Sequence, residues 1–159
     1  MAKFSVSEMK GKGLMILYTA FLGALALSVL MMPVSSILKD LTRIPLAVTG
    51  SVFWLSLGGT VFSALVINRA RKRCDAFCAD DSDMNGLGLI SFFKNKEAKI
   101  ADISMFAAFA GVIVTLFLIK NVYAFFIFLG LLVFFFGMHC MLNGKNYAYI
   151  KFNQENKEL

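Results

Sequence analysis

Four long apolar segments, separated by short polar or charged stretches, dominate the pattern of this chain. They cover about residues 14–34, 46–68, 103–119 and 122–142, and none carries a charged side chain in its central part. About 20 helical residues cross the hydrocarbon core of a bilayer, and these segments lack the two-residue alternation of β-barrel strands. The pattern predicts an all-α integral membrane protein with four transmembrane helices in two antiparallel hairpins, forming one domain over residues 1–159.

The segments that link the predicted spans contain further helical patterns. Residues 34–44 place apolar side chains on one face, and residues 89–100 do the same with Phe92 and Phe93 among them. We expect a short amphipathic helix at the membrane surface in both places, with a plain linker as the alternative. The tail, residues 143–159, contains a polar turn followed by alternating Tyr and Ile. It docks beneath the helices, binds a partner or frays.

Composition supports a membrane protein and narrows the partners. Hydrophobic residues make up 58% of the chain and charged residues 16%, with a mean hydropathy of +0.73. A soluble domain has about 45–50% apolar and about 25% charged residues. The net charge is +6, but the basic residues cluster beside the apolar segments. This placement is typical of contacts with membrane lipids and their anionic headgroups, and it argues against nucleic acid as a partner.

The distribution of Lys and Arg predicts the orientation. Thirteen lie in the N-terminal segment, the loop 69–101 or the tail, and three lie in the two other connections. Basic residues favour the cytoplasmic side, so we expect both termini in the cytoplasm, in a bacterial cytoplasmic membrane. We assign headgroup contact to seven basic residues of the long loop: Arg69, Arg71, Lys72, Arg73, Lys94, Lys96 and Lys99.

Small and polar residues within the spans offer packing surfaces or a transport path. Ser56, Thr60 and Ser63 lie on one side of the second span. We interpret such stripes as packing between the helices of one chain, with a homo-oligomer or partner interface and a polar transport path as alternatives. Asp102, at the start of the third span, is the other transport candidate. An Asp in the first turn of a helix also stabilises the helix dipole.

The stretch DDSDMNG, residues 80–86, resembles the first half of an EF-hand calcium loop. Asp81, Asp83 and Asn85 occupy ligand positions 1, 3 and 5. Position 12, which needs a bidentate Glu, is Phe92. We therefore predict an acidic turn and keep these three residues as the metal candidates.

The cysteines and the one histidine do not form a recognisable metal or redox motif. Cys74 and Cys78 are four residues apart, and His139 and Cys140 lie near the end of the fourth span. A reducing cytoplasm disfavours a disulfide, and one histidine does not supply two axial haem ligands. We predict no cofactor, and a hydrogen bond to backbone or headgroup for His139. Lipidation of Cys74 or Cys78 stays open.

The sequence shows no recognisable catalytic motif, so we assign no catalytic residue and expect a protein that is not an enzyme. The leading interpretation is a small accessory, regulatory or interaction subunit of a membrane complex, with a protein partner or a second copy of the chain. One alternative is a small transporter or pore-forming subunit. Another is a membrane redox or metal-binding protein.

Overall fold

The computed structural model of the protein describes residues 11–42, 46–74 and 91–155. The elements are α1 (Gly11–Thr42), α2 (Leu46–Lys72), α3 (Lys96–Val114), a π-helical turn (Thr115–Ile119), α4 (Val122–Leu142) and α5 (Lys145–Glu155). These described parts contain no strand. Helices α1, α2 and α4, and α3 with its π-helical extension, are each long and apolar enough to cross a membrane. The predicted all-helical class and its four apolar helices are therefore confirmed.

Three helices extend beyond the predicted spans, and α2 does so by four residues, to Lys72. Helix α1 continues through Pro33 to Thr42, so the helix expected at residues 34–44 is a continuation of α1 over the described part. Helix α3 begins at Lys96, seven residues before the predicted start of the third span. Asp102 therefore lies in the second helical turn, and our placement of it in the first turn is wrong.

The helices lie in a row in the order α2, α1, α4, α3. Helix α1 packs along both α2 and α4, and α4 packs along α3. Within the described residues, no extensive contact joins α2 to α3 or to α4. The centre of the row is the α1 stripe of Leu14, Tyr18 and Leu22, which is buried at helical spacing. The Tyr18 hydroxyl also donates a hydrogen bond of 2.7 Å to the carbonyl of Gly137 on α4.

Glycines allow the neighbouring helices to approach closely. A Cβ atom on Gly59 of α2 would overlap the ring of Phe21 on α1. A Cβ atom on Gly111 of α3 would likewise overlap the ring of Phe128 on α4. Helices in lipid associate through such close packing, because lipid tails are as apolar as the side chains they would replace. These glycines serve packing within one chain, as the sequence analysis favoured.

The C-terminal helix α5 docks against the end of the row. Ile150 is 1% exposed and belongs to the same buried cluster as Leu14 and Tyr18. The Arg71 Nε atom at the end of α2 donates to Asn146 Oδ1 at 3.1 Å. The docked alternative for the tail is therefore the one observed over residues 145–155.

Candidate functional site

A buried polar cluster lies where α3, α4 and the segment before α3 meet. Its members are Asp102, His139 and Asn143, which are 0%, 2% and 1% exposed. Asp102 comes from α3, and His139 comes from the last turn of α4. Asn143 follows α4 directly as its C-cap. His139 and Asn143 are four residues apart, so the helical spacing places both side chains opposite the same acid.

The two carboxylate oxygens of Asp102 receive separate contacts. The Oδ1 atom lies 2.7 Å from His139 Nδ1 and accepts a hydrogen bond of 3.0 Å from Asn143 Nδ2. The Oδ2 atom accepts a hydrogen bond of 2.7 Å from the backbone N–H of Phe93. Both oxygens therefore act as acceptors, which is the behaviour of an ionised carboxylate.

The hydrogen-bond pattern assigns the proton on His139. Asn143 Oδ1 accepts from the backbone N–H of Lys94 at 3.4 Å, so the Asn143 amide nitrogen is the atom that faces Asp102. An ionised Asp102 has no hydrogen to donate, so with this carboxylate ionised His139 Nδ1 carries the shared hydrogen and donates it. The 3.1 Å separation of Asn143 Nδ2 from His139 Nδ1 is then a contact between two donors that share one acceptor.

The segment Ser91–Asn95 covers the cluster. The Phe92 ring stacks on the His139 ring with centroids 4.6 Å apart. Phe93 has a φ of 57°, a left-handed conformation that L-residues rarely adopt, and its N–H is the group bound by Asp102. The Asn95 side chain donates to the carbonyl of Leu142 at 3.0 Å. These contacts replace the helix that we predicted for this segment, so that interpretation is wrong at Phe92 and Phe93.

The basic residues assigned to headgroup contact surround this end of the molecule. Six of the seven are exposed: Arg69, Lys72, Arg73, Lys94, Lys96 and Lys99. The seventh, Arg71, is partly buried and also donates to Asn68 Oδ1 at 2.9 Å. Those on α2 lie in its last turn, where cations stabilise the helix dipole. The structure therefore leaves six of these side chains exposed and uses Arg71 within the fold, and headgroup contact stays a prediction.

Helix α5 adds an ion pair to the same end. Lys151 Nζ lies 3.2 Å from Glu97 Oε1 at the start of α3, and 5.2 Å from the centre of the Tyr147 ring. The hydrogen bond to the Glu97 carboxylate raises the pKa of Lys151 above its usual value. Both side chains are about half exposed, so this pair contributes little to the stability of the fold.

The polar stripe of α2 is buried and satisfied within its own helix. Ser56, Thr60 and Ser63 are at most 9% exposed. Each hydroxyl donates to a carbonyl one turn earlier: Ser56 to Val52 at 2.7 Å, Thr60 to Ser56 at 2.8 Å and Ser63 to Gly59 at 2.7 Å. The structure does not bring these residues next to Asp102, which lies on α3 at the other edge of the row.

The three metal candidates, Asp81, Asp83 and Asn85, lie outside the described residues, and so does Cys78. Cys74 and Cys140 are free thiols. In the parts of the chain that the structure describes, no group of three or more His, Cys, Asp or Glu side chains is arranged to hold a metal ion. Comparisons with protein-family models, with curated proteins and with solved structures found no match for this chain.

The sequence analysis considered Asp102 and His139 separately and did not consider Asn143 at all. Two signals were available in the sequence. His139 and Asn143 have helical i, i+4 spacing, and the predicted topology placed Asp102 at the same membrane side as both. The sequence did not reveal the packing of α3 along α4, which brings the Asp102 carboxylate to the His139 imidazole.

Proposed function

We propose that this chain is a small non-enzymatic integral membrane protein that acts as an accessory, regulatory or interaction subunit of a membrane complex. The observation that carries the proposal is the row of helices, which leaves a broad apolar face on each edge helix. Helices of different membrane proteins pack laterally on such faces. The end of the molecule that carries α5, the exposed basic side chains and the segment over the Asp102 cluster adds a polar surface that a partner can also bind.

The exposed apolar faces also support insertion in a membrane. On α2 the exposed side chains include Trp54, Leu55, Phe62 and Leu65. On α3 and its π-helical extension they include Ile103, Phe106, Phe109 and Phe117. Monomeric soluble proteins rarely expose contiguous apolar surface on this scale, whereas lipid tails cover it without cost.

The proposed topology has two antiparallel hairpins, α1 with α2 and α3 with α4. Both termini and the segment between α2 and α3 lie in the cytoplasm, in a bacterial cytoplasmic membrane. The supporting observations are the excess of Lys and Arg on that side and the packing of each helix on its successor within a pair. In this arrangement the Asp102 cluster lies near the cytoplasmic surface.

The test is purification of the full chain in a gentle detergent from cells that express it at native level, with native mass spectrometry. Gly58, on the exposed side of α2, has nothing within 4 Å of the position of a Cβ atom, and the same holds for Gly23 on α1. We expect a stoichiometric second membrane protein with the wild type and with Gly23→Leu, and its loss with Gly58→Leu. A monomer or homo-oligomer in all three preparations would contradict the accessory role.

A second candidate, proton-linked transport, is favoured by the buried Asp102–His139 pair. Ionisable side chains within a membrane-spanning helix are often functional, and this pair contains both an acceptor and a donor. Under this candidate, proteoliposomes containing the protein would conduct protons, and Asp102→Asn would abolish the flux. Conductance that is equal to that of empty liposomes would exclude this candidate.

A further inference from the structure

A groove of about 550 Å³ opens between α1 and α3 at the end where α5 docks. Helix α4 forms its back wall, because α4 lies between α1 and α3 in the row. The deeper part is lined by Ile16, Ile100, Phe134 and Phe135. The opposite end is lined by Lys12, Glu97, Tyr147 and Gln154. The groove is therefore apolar along one part and polar at its mouth.

The dimensions of the groove suit an acyl chain that enters from the mouth. Phe134 and Leu142, which both line it, are eight residues apart on α4, so the groove follows this helix for about 12 Å. Ile16 follows Lys12 by one helical turn on α1, so it lies further from the mouth of the groove. In the proposed topology the mouth stands at the level of the headgroups and the apolar part lies among the lipid tails.

The charge at the mouth selects the headgroup. Glu97 is paired with Lys151, so these two charges offset each other. Among the described residues Lys12 has no salt bridge, and its side chain is exposed at the mouth. Lys12, Glu97 and Lys151 together therefore leave one positive charge in excess among the described residues at the mouth. The Tyr147 hydroxyl and the Gln154 amide supply hydrogen-bonding groups beside it.

We propose that this α1–α3 groove binds one anionic phospholipid. An acyl chain lies against Ile16, Phe134 and Phe135, and the phosphate group lies at Lys12. This inference rests on the membrane location in the proposed function and goes beyond it, because it assigns a defined ligand class to one place. It also differs from the general headgroup contact assigned to the basic loop, of which Lys12 is not a part.

The experiment uses the full chain reconstituted in vesicles of phosphatidylglycerol and phosphatidylethanolamine, extracted in a gentle detergent and analysed by native mass spectrometry. Ile16→Trp fills the apolar part of the groove at a side chain that is 69% exposed. Leu55→Trp is its matched control, because Leu55 is 73% exposed on the far edge of the row. Lys12→Gln removes the charge, and Lys120→Gln removes an exposed charge at the opposite end, which neither lines the groove nor belongs to the residues assigned to headgroup contact.

We expect the wild type, Leu55→Trp and Lys120→Gln to retain one phosphatidylglycerol per chain. Ile16→Trp should lose it, and Lys12→Gln should bind it about fivefold more weakly, as expected for one basic side chain at a membrane surface. Equal retention by the wild type and Ile16→Trp would overturn the proposal. Retention of phosphatidylethanolamine in preference to phosphatidylglycerol would overturn it as well.

Two results separate this proposal from the proposed function. Flotation of every variant with the vesicles reports insertion, so a chain that does not float contradicts the membrane location itself. A chain that floats but retains no lipid contradicts the groove proposal alone. The accessory role is decided by protein partners, and lipid retention does not bear on it.

Discussion

The Asp102 carboxylate fixes the path of the chain before its own helix. It accepts the N–H of Phe93, whose φ of 57° is unfavourable for an L-residue by about 1–2 kcal/mol. A charged acceptor strengthens that hydrogen bond, and strong hydrogen bonding offsets the backbone strain. The same carboxylate holds His139 and Asn143, so one side chain joins α3, α4 and the covering segment.

Replacing Asp102 tests this arrangement. In Asp102→Asn one of the two acceptor oxygens becomes a donor, and three donors then face one oxygen. At least one buried donor loses its acceptor, and we expect a loss of about 1–3 kcal/mol in the free energy of unfolding. Thermal unfolding in detergent measures the effect.

The control is Glu97→Gln, which removes an exposed acid from the same helix and should change stability by less than about 0.5 kcal/mol. Faster amide exchange at Phe93 should accompany the loss in Asp102→Asn. Identical melting temperatures for Asp102→Asn and the wild type would show that the carboxylate does not hold the cluster together.

Individual residues were the hardest part to predict. The apolar and basic alternation of residues 89–100 suggested a helix, but a local pattern cannot reveal an acceptor that lies later in the chain. The helix begins only at Lys96 because Phe93 and Lys94 donate their N–H groups to Asp102 and Asn143. Such tertiary hydrogen bonds override a local helical preference.

Helices, in contrast, follow from hydropathy. All four apolar segments are helical, and a helix lets a long apolar run satisfy its backbone hydrogen bonds within itself. Small residues were less specific. Gly59 and Gly111 receive aromatic rings from a neighbouring helix, whereas Gly23 faces open space. Spacing shows that a close contact is feasible, but only the partner helix decides which side is used.

The contact of Gly111 with Phe128 gives a test of helix packing. Gly111→Ala should force α3 away from α4 and cost about 1–3 kcal/mol, because the added Cβ meets the edge of a rigid ring. Phe128→Leu in the same chain should restore much of the stability by making room. A double-mutant cycle of thermal unfolding measures this coupling.

Gly23→Ala is the matched control, since nothing lies within 4 Å of its added Cβ. If Gly111→Ala unfolds at the same temperature as Gly23→Ala, the close approach of α3 to α4 is incorrect. If the double variant shows no recovery, the Phe128 ring is not the group that opposes the added methyl.

The arrangement of the whole chain was predicted only in part. The sequence led us to four helices and an orientation, but not to their order in a row. The order of the helices depends on which of their faces pack against a neighbour. Helix α1 has two such faces. One lies towards Phe53 and Leu57 of α2, and the other towards Val133 and Phe134 of α4. Apolar composition alone does not distinguish a packed face from one covered by lipid.

The proposed orientation predicts a labelling pattern in intact cells. In a variant without native cysteines, Lys120→Cys should react with a membrane-impermeant maleimide, because Lys120 is exposed in the α3–α4 connection on the outer side. Lys99→Cys, exposed at the opposite end, should react only after permeabilisation. The reverse pattern would invert the topology.

The place of α4 in the row has a consequence for biosynthesis. Helices emerge from the ribosome in chain order, yet α1 acquires its second neighbour only when the last span is made. In the proposed topology, Asp102 would enter the membrane before His139 and Asn143 are made, because both follow it by more than 35 residues. A nascent chain arrested before His139 would therefore hold an uncompensated carboxylate near the bilayer, a feature that membrane proteases and chaperones could recognise in incomplete copies.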